Sequence, residues 1–477
     1  MDPLPVQISE VVYEIPKGAA PGMHVPARII ADRELMAQIA RDQSLHQLIN
    51  VTTLPGTWGR VVGMPDMHEG YGFPVGGVAA TLTPDGVISP GGIGFDINCG
   101  VRLLASRLTR AQIGGQLETF VHELSRSIPT GYGRHGRLSL SDQELDRVLS
   151  DGCPYVVGTL GLGTQEDLER IESGGRLAAA DPSAVSARAR ERGHDQLGTL
   201  GGGNHFLEVQ EVETVFDDKA AAALGLFAGQ MTILIHTGSR GLGHQVCTDA
   251  VRTMDASLER FGIELPDRQL ACAPLSSPEG QSYFAGMCAA ANFGWSNRQV
   301  LCHRARTVAE RILGGCGDAR MELVYDVAHN IAKLEEHAGR RLCVHRKGAT
   351  RAFGPGNPEL PARYQGVGQP VFVPGSMGTR TFVLVGTAGS DEVSFGSCCH
   401  GAGRALSRHA AKRRVEGHVL RKELESQGIV VRCPSNAELA EEAPLAYKDV
   451  ERVVDVVARA GIARKVVRLR PWGVLKG

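Results

Sequence analysis

Short runs of β-branched and aliphatic residues recur along the chain, and each ends in a polar cluster: MTILIHTGSR at 231–240, MELVYDVAHN at 321–330, VFVPGSMGT at 371–379 and TFVLVG at 381–386. Such runs are too short for helices and predict buried strands that deliver side chains to one rim. The first hundred residues also read as strand-rich, with VVGMPDMHEG followed by GGVAATL and GVIS, and the tetrapeptide Thr83-Pro84-Asp85-Gly86 predicts a hairpin between the last two. Residues 107–128 and 140–195 read mostly as helices with polar loops. Residues 404–427 have helical composition, starting just after the glycines of HGAGR and stopping at Gly428. Hairpins and helices alternate without a regular βαβ rhythm, and no repeat or long Pro/Ser linker is visible. The pattern therefore predicts an α+β fold, residues 1–477 forming a single composite domain with mixed sheets and a metal site at strand ends.

Composition sharpens this picture at one point. Sixty glycines in 477 residues is nearly twice the usual share, and they cluster beside polar residues in GGIG, GGG, GSRGLG and GAG, where backbone can approach a ligand closely. Charge is balanced at 51 basic against 52 acidic residues, so no whole-molecule field draws the protein to a polyanion and any such site must be local. The N-terminal stretch has no apolar leader core, and no run of 18 apolar residues occurs, which predicts a soluble, cytoplasmic protein with no membrane partner. Eleven cysteines, an odd number with no C-x-x-C, argue against a disulfide framework and a zinc ribbon.

Three histidines sit where a strand or turn ends: His205 in GTLGGGNHFLE, His236 in TILIHTGSR and His329 in VYDVAHN. Asp96 and Cys99 stand three apart in GFDINCGVR. Singly, each reads as a hydrogen-bonded structural residue. Together they are imidazole, carboxylate and thiol in glycine-rich loops, five donors where a closed zinc site needs four. A bridging Cys99 thiolate would let them hold two ions, and the carboxylate moves the preference toward a harder ion such as manganese. His400 precedes Gly401-Ala402-Gly403 and a predicted helix, whose N-terminus would bind phosphate and let the histidine attack or hand over a phosphoryl group. A helix-capping histidine is the alternative. The sequence contains neither a P-loop nor the Lys-x-Asp-Gly of lysine-adenylylating ligases.

In order, FDINCGVR, GTLGGGNHFLE, HTGSRGLG, VYDVAHNIAK, HRKGATRAF, VPGSMGT, HGAGR, APLAYKDV and PWGVLKG closely resemble the motifs of the RtcB family of RNA-splicing ligases, from about residue 59 onward. The resemblance implies an α+β ligase that uses GTP and two manganese ions to join an RNA 2′,3′-cyclic phosphate or 3′-phosphate end to a 5′-hydroxyl end, in transfer RNA splicing or RNA repair. It implies guanylylation of His400, metal ligation by Asp96, Cys99, His205, His236 and His329, and a guanylate pocket. That pocket would use Asn204, His205, Phe206, Leu207, Glu208, His329, Asn330, Pro374, Gly375, Ser376, Met377, Thr381, His400, Gly401, Ala402, Gly403, Tyr447 and Lys476. Glu208 would accept from guanine N1–H and N2–H₂, and Lys476 would reach the base or ribose if the tail folds back. An archease-type activator is the implied partner besides RNA.

The stretch HRKGATR supplies His345, Arg346, Lys347 and Arg351, while Arg240 and Arg404 lie beside motif histidines. Read with the family motif, this is a basic loop for RNA phosphates, with Arg240, Arg346, Lys347, Arg351 and Arg404 as the contacts. Asp66 in PDMHEG is expected either to orient the His400 ring or to serve as a turn residue. Departures from the family pattern, Ala328 before His329 and Trp472 near the tail, touch no proposed ligand. Two rival readings use the same residues: a dinuclear metal phosphodiesterase without guanylylation, and a non-enzymatic RNA-binding scaffold.

Overall fold

A computed structural model describes residues 3–131, 133 and 135–477. Two large sheets organise them. The first has seven strands in the order Val6–Ser9, Val12–Ile15, Ala27–Ile30, Thr57–His68, Val75–Leu82, Arg340–Lys347 and Asn330–His337, antiparallel except where Ala27–Ile30 meets Thr57–His68. The second runs Glu322–Ala328, Gly100–Thr109, Gln230–Thr237, Phe206–Val215, Ala463–Lys476, Thr381–Gly386 and Pro370–Pro374, with Val430–Arg432 joining it parallel to Ala463–Lys476. This is the expected α+β class with mixed sheets.

Strand alternation sorts side chains between two cores. On Gln230–Thr237, Met231, Ile233 and Ile235 join the main core against the helices, and Leu234 enters a second cluster on the opposite face with Val101, Leu103 and Val383. Burial on both faces is why this strand reads as one apolar run. All four β-branched runs form strands.

The long helix Pro278–Leu313 crosses the main core. Ser277 caps it, accepting from Gly280 N–H at 3.1 Å, with Pro278 in the first turn. Its middle is buried all round and carries polar groups that pin loops. Asn297 accepts from the N–H of Gly198 at 2.7 Å and donates to the carbonyls of Thr199 and Gly238. Arg298 donates to the carbonyls of Asn98 (2.7 Å) and Thr237 (2.8 Å) and to Asp326 (2.8 Å). One helix thus fixes three of the loops that carry the predicted ligands.

Three expectations are corrected. The turn at Thr83–Gly86 closes, with Gly86 N–H donating to the Leu82 carbonyl, but the following strand Val87–Ile88 pairs with Ala273–Pro274 instead of forming a hairpin with Val75–Leu82. HGAGR does not open a helix: His400 follows the strand Ser397–Cys399, and the helix begins only at Arg408, capped by Ser407. The basic stretch HRKGATR is no surface loop, since its residues lie in the buried strands Arg340–Lys347 and Ala349–Arg351. Among the described residues no helix is long and apolar enough to cross a membrane.

Candidate active site

The predicted ligands meet because they sit at one edge of the second sheet. Cys99 precedes Gly100, which pairs with Ala328, the residue before His329; His236 pairs with Val101 and with Phe206, the residue after His205. Ala328 ends a strand of the second sheet and Asn330 starts one of the first, so His329 is the joint between the sheets. Asn98 adopts a left-handed backbone (φ 52°), held by its side chain donating to Ala291 and its N–H to Asn330, and this turn brings Asp96 and Cys99 to the same point. At Gly201 (φ 92°) an added Cβ would lie 2.1 Å from the Arg240 guanidinium, so glycine is required there.

The five side chains form two overlapping groups, Asp96–Cys99–His205 and Cys99–His236–His329, with the donor atoms of each group within 4.8 Å of one another. Cys99 Sγ lies 3.4 Å from His205 Nε2 and 3.3 Å from His236 Nε2; His236 Nε2 is 3.3 Å from His329 Nε2, and His205 Nε2 is 2.7 Å from Asp96. Burial lowers the pKa of His236 and His329 well below the ordinary range and keeps both neutral, the form that ligates. Burial and the Asp96 charge push the Cys99 thiol well up, a penalty an adjacent cation would reverse. Asp96 Oδ1, His236 Nδ1 and His329 Nδ1 are buried without hydrogen-bond partners among the described residues. The donor chemistry and these orphaned atoms fit a metal centre.

His400 stands over this cluster, its ring centroid 4.9 Å from that of His329. Its Nδ1 lies 2.7 Å from Asp66 Oδ2, which also accepts from the His400 backbone N–H at 3.2 Å. Gly403 packs its Cα against the Asp66 carbonyl, and an added Cβ would come within 2.1 Å of it. A cavity of about 380 Å³ opens between the two sheets, bounded by Asp96, Cys99, His236, His329 and His400. Of the predicted nucleotide residues, Asn204, Phe206, Asn330, Pro374, Gly375, Gly401, Ala402, Gly403 and Tyr447 also line it.

Other predicted nucleotide residues lie elsewhere. Leu207 points into the main core and Met377 packs with Leu420 and Leu424, so neither side chain faces the cavity. Ser376 closes the tight loop between Pro374 and Thr381, its N–H donating to Thr379 Oγ1. Glu208, Thr381 and Lys476 sit behind the cavity wall. Gln210 Nε2 links Glu208 (2.8 Å) to Thr381 Oγ1 (3.0 Å), and Lys476 donates to the carbonyls of Gly203 and His205. The tail does fold back, since Lys476 pairs with Phe206.

Burial raises the Glu208 pKa to about 8, against the opposing pull of Gln210 and Lys476. Between the ordinary glutamate range and about pH 8 the folded chain therefore holds a proton that the unfolded chain releases, and stability falls as pH rises through that window. Glu208→Gln removes the titration, so wild type should lose a few kcal/mol relative to the variant between pH 6 and 9, at about 1.4 kcal/mol per pKa unit. Urea unfolding of both proteins at the two pH values checks this. Parallel pH profiles would show Glu208 already ionised.

The predicted RNA contacts divide. Arg346 and Arg351 are corrected: Arg346 is fully buried in a two-pronged pair with Glu335 (2.7 and 2.8 Å), and Arg351 is paired with Glu359 and lies 3.6 Å from Glu172, so neither presents charge to a phosphate. His345, likewise buried, accepts from Ser89 N–H. Lys347 does border the cavity, but its ammonium donates to the carbonyls of Tyr71 (2.7 Å) and Phe73 (3.0 Å), and burial lowers its pKa to about 7. Arg404 lines the cavity, stacked on Tyr447 and paired with Glu442; Arg240 is buried beside Thr199 Oγ1 at 3.0 Å.

Sequence reasoning missed His68, another cavity residue. Its Nδ1 donates to the Asp66 carbonyl at 2.9 Å, and burial lowers its pKa to about 4. The period-2 spacing of Asp66 and His68 in PDMHEG was the available signal.

The chain matches the profile of the family described as tRNA-splicing ligase RtcB over residues 47–477. It is 54% identical over 476 residues to the tRNA-splicing ligase RtcB of Archaeoglobus fulgidus, covering 99% of this chain and 98% of that relative. Identity to the tRNA-splicing ligase RtcB of Thermococcus kodakarensis is 51%, with the same coverage. The RNA-splicing ligase RtcB of Mycobacterium tuberculosis is 50% identical over 438 residues, 90% of this chain and 100% of the relative.

Proposed function

Because the chain belongs to the RtcB family of tRNA-splicing ligases, we propose that it is an RNA ligase, joining 3′-phosphate or 2′,3′-cyclic phosphate ends to 5′-hydroxyl ends at the expense of GTP. The observation that carries this reading is the meeting of His400 with the five-donor cluster, four members of which line the same cavity. Transfer RNA halves or broken RNA are its substrates, an archease-type protein its helper and the cytoplasm its place.

Asp96, Cys99, His205, His236 and His329 would hold manganese, which would supply positive charge against the negative charge that builds on phosphate oxygens. Asp66, 2.7 Å from His400 Nδ1, holds the proton there and leaves the Nε2 lone pair to act. Nε2 attacks the α-phosphorus of GTP; a P–N bond forms and the bond to the pyrophosphate oxygen breaks. The guanylyl group then passes to the RNA 3′-phosphate. The 5′-hydroxyl oxygen attacks that phosphorus and GMP leaves, while a cyclic end is first opened by water. Glu208 would accept from guanine N1–H and N2–H₂ once ionised and uncovered from behind the cavity wall, with Lys476 on the base side of the pocket. Arg404 in the cavity wall supplies positive charge to the RNA phosphates, joined by Lys347 when it is protonated, while buried Arg240 acts from behind the wall.

The test is incubation with α-labelled GTP, manganese and RNA of defined ends. A ligase retains label on protein and joins the RNA. A phosphodiesterase opens the cyclic phosphate without retaining label, and a scaffold does neither.

Cys99→Ser should lose both ions together, because the shared thiolate serves both groups and a serine hydroxyl is a poor donor. Metal analysis of the purified variant decides. One equivalent bound as tightly as in wild type would make Cys99 a ligand to a single ion.

A further inference from the structure

The segment 404–414, RALSRHAAKRR, carries five arginines and lysines and no acid, on a chain whose net charge is −1. Arg404 and Arg408 stand in the cavity wall, and the helix Arg408–Arg414 leads outward from it. The acids packed against this segment are Glu441 and Glu442. Glu442 pairs with Arg404 and Arg408, both at 3.2 Å; Glu441 pairs with Lys412 and lies 3.7 Å from Arg408. Two carboxylates thus serve three cations. His409, Arg413 and Arg414 are exposed and have no ion pair among the described residues.

At about 100° per residue, Arg408, Lys412, His409 and Arg413 fall within an arc of about 140°. Buried Ala411 lies off that arc, on a helix that packs against the helix Asn436–Glu441. The outward face is therefore basic, begins at the cavity mouth and offers no aromatic or large apolar side chain that would anchor a protein. We infer that this face of the helix Arg408–Arg414 binds the sugar-phosphate backbone of the RNA strand whose end lies in the cavity, an inference that rests on the ligase reading above. A strand leaving the mouth meets positive charge that the fold itself does not consume, and release of its counterions drives the contact.

The experiment compares wild type with a variant combining His409→Ala and Arg413→Ala, neither of them in the reacting centre. Guanylylation of His400 should be unchanged. Affinity for RNA long enough to run past the mouth should fall about tenfold at moderate salt, with the log–log salt slope flatter by about 0.7 per lost contact. Joining of a dinucleotide end should match wild type, and Arg413→Lys should retain long-RNA binding. Unchanged affinity for long RNA overturns the inference, as does an equal loss on both lengths. So does a loss confined to an acidic protein partner, which would make the face a protein dock. A wild type that neither retains GMP nor joins RNA removes the ligase reading itself. An active wild type beside an indifferent variant removes only the helix.

Discussion

Replacing His400 with alanine is expected to bring GTP labelling of the protein to background, a loss of at least about a thousandfold, because the proposed nucleophile is removed, while the Lys347 ammonium is engaged by the carbonyls of Tyr71 and Phe73. The fold should barely notice. Asp66 Oδ2 keeps a partner in the backbone N–H of residue 400, and the five metal donors lie on other strands. Intact mass spectrometry after incubation with GTP, followed by peptide mapping, gives the answer alongside metal content. Guanylate on Lys476 or Lys347, or retained by the variant, would place the chemistry elsewhere.

The second large effect is structural. Asp326 is wholly buried and receives Arg102 at 2.7 Å and Arg298 at 2.8 Å, both guanidiniums equally buried. Asp326→Ala leaves two positive charges in the core with one carboxylate missing, and breaking a buried pair in this way costs about 3–5 kcal/mol. Arg298 also holds the carbonyls of Asn98 and Thr237, the loops beside Cys99 and His236. The variant should therefore unfold at much lower urea and bind metal poorly even where it remains folded. Stability within about 1 kcal/mol of wild type would mean that solvent or another acid compensates the arginines.

The strands and the donor cluster were legible because their signals are local. A run such as TILI is buried on both faces and needs no partner to be recognised, and a histidine directly after it must lie at a sheet edge. The long helix left no such signal. Asn292, Asn297, Arg298 and Gln299 are buried beside Trp295 and Leu301, so its polar and apolar residues share every face and the helical period vanishes. Arg346 and Arg351 misled for a related reason: Glu335 and Glu359 lie eight to eleven residues away and Glu172 much farther, and only the folded sheet brings them together. Likewise the turn at Gly86 was visible, but the partner of Val87–Ile88 comes from Ala273–Pro274, far along the chain. The nucleotide pocket owed its outline to the family motifs. Physical reading separates those residues whose side chains face the cavity from Leu207 and Met377, whose side chains do not.

The strand Ala463–Lys476 lies in the interior of the second sheet, between Phe206–Val215 and Thr381–Gly386. On the ribosome, order of synthesis and order of assembly are therefore opposed: the segment translated after every metal donor is inserted between strands made long before it. Until it arrives, both neighbours present open ladders that invite pairing with other chains. Its pairing with Phe206–Val215 joins segments more than 250 residues apart in sequence, and such closures are slow. A nascent chain that has already exposed its thiol and imidazole donors thus has no finished cavity in which to gather them, and any metal ion would be gathered only once this strand is in place.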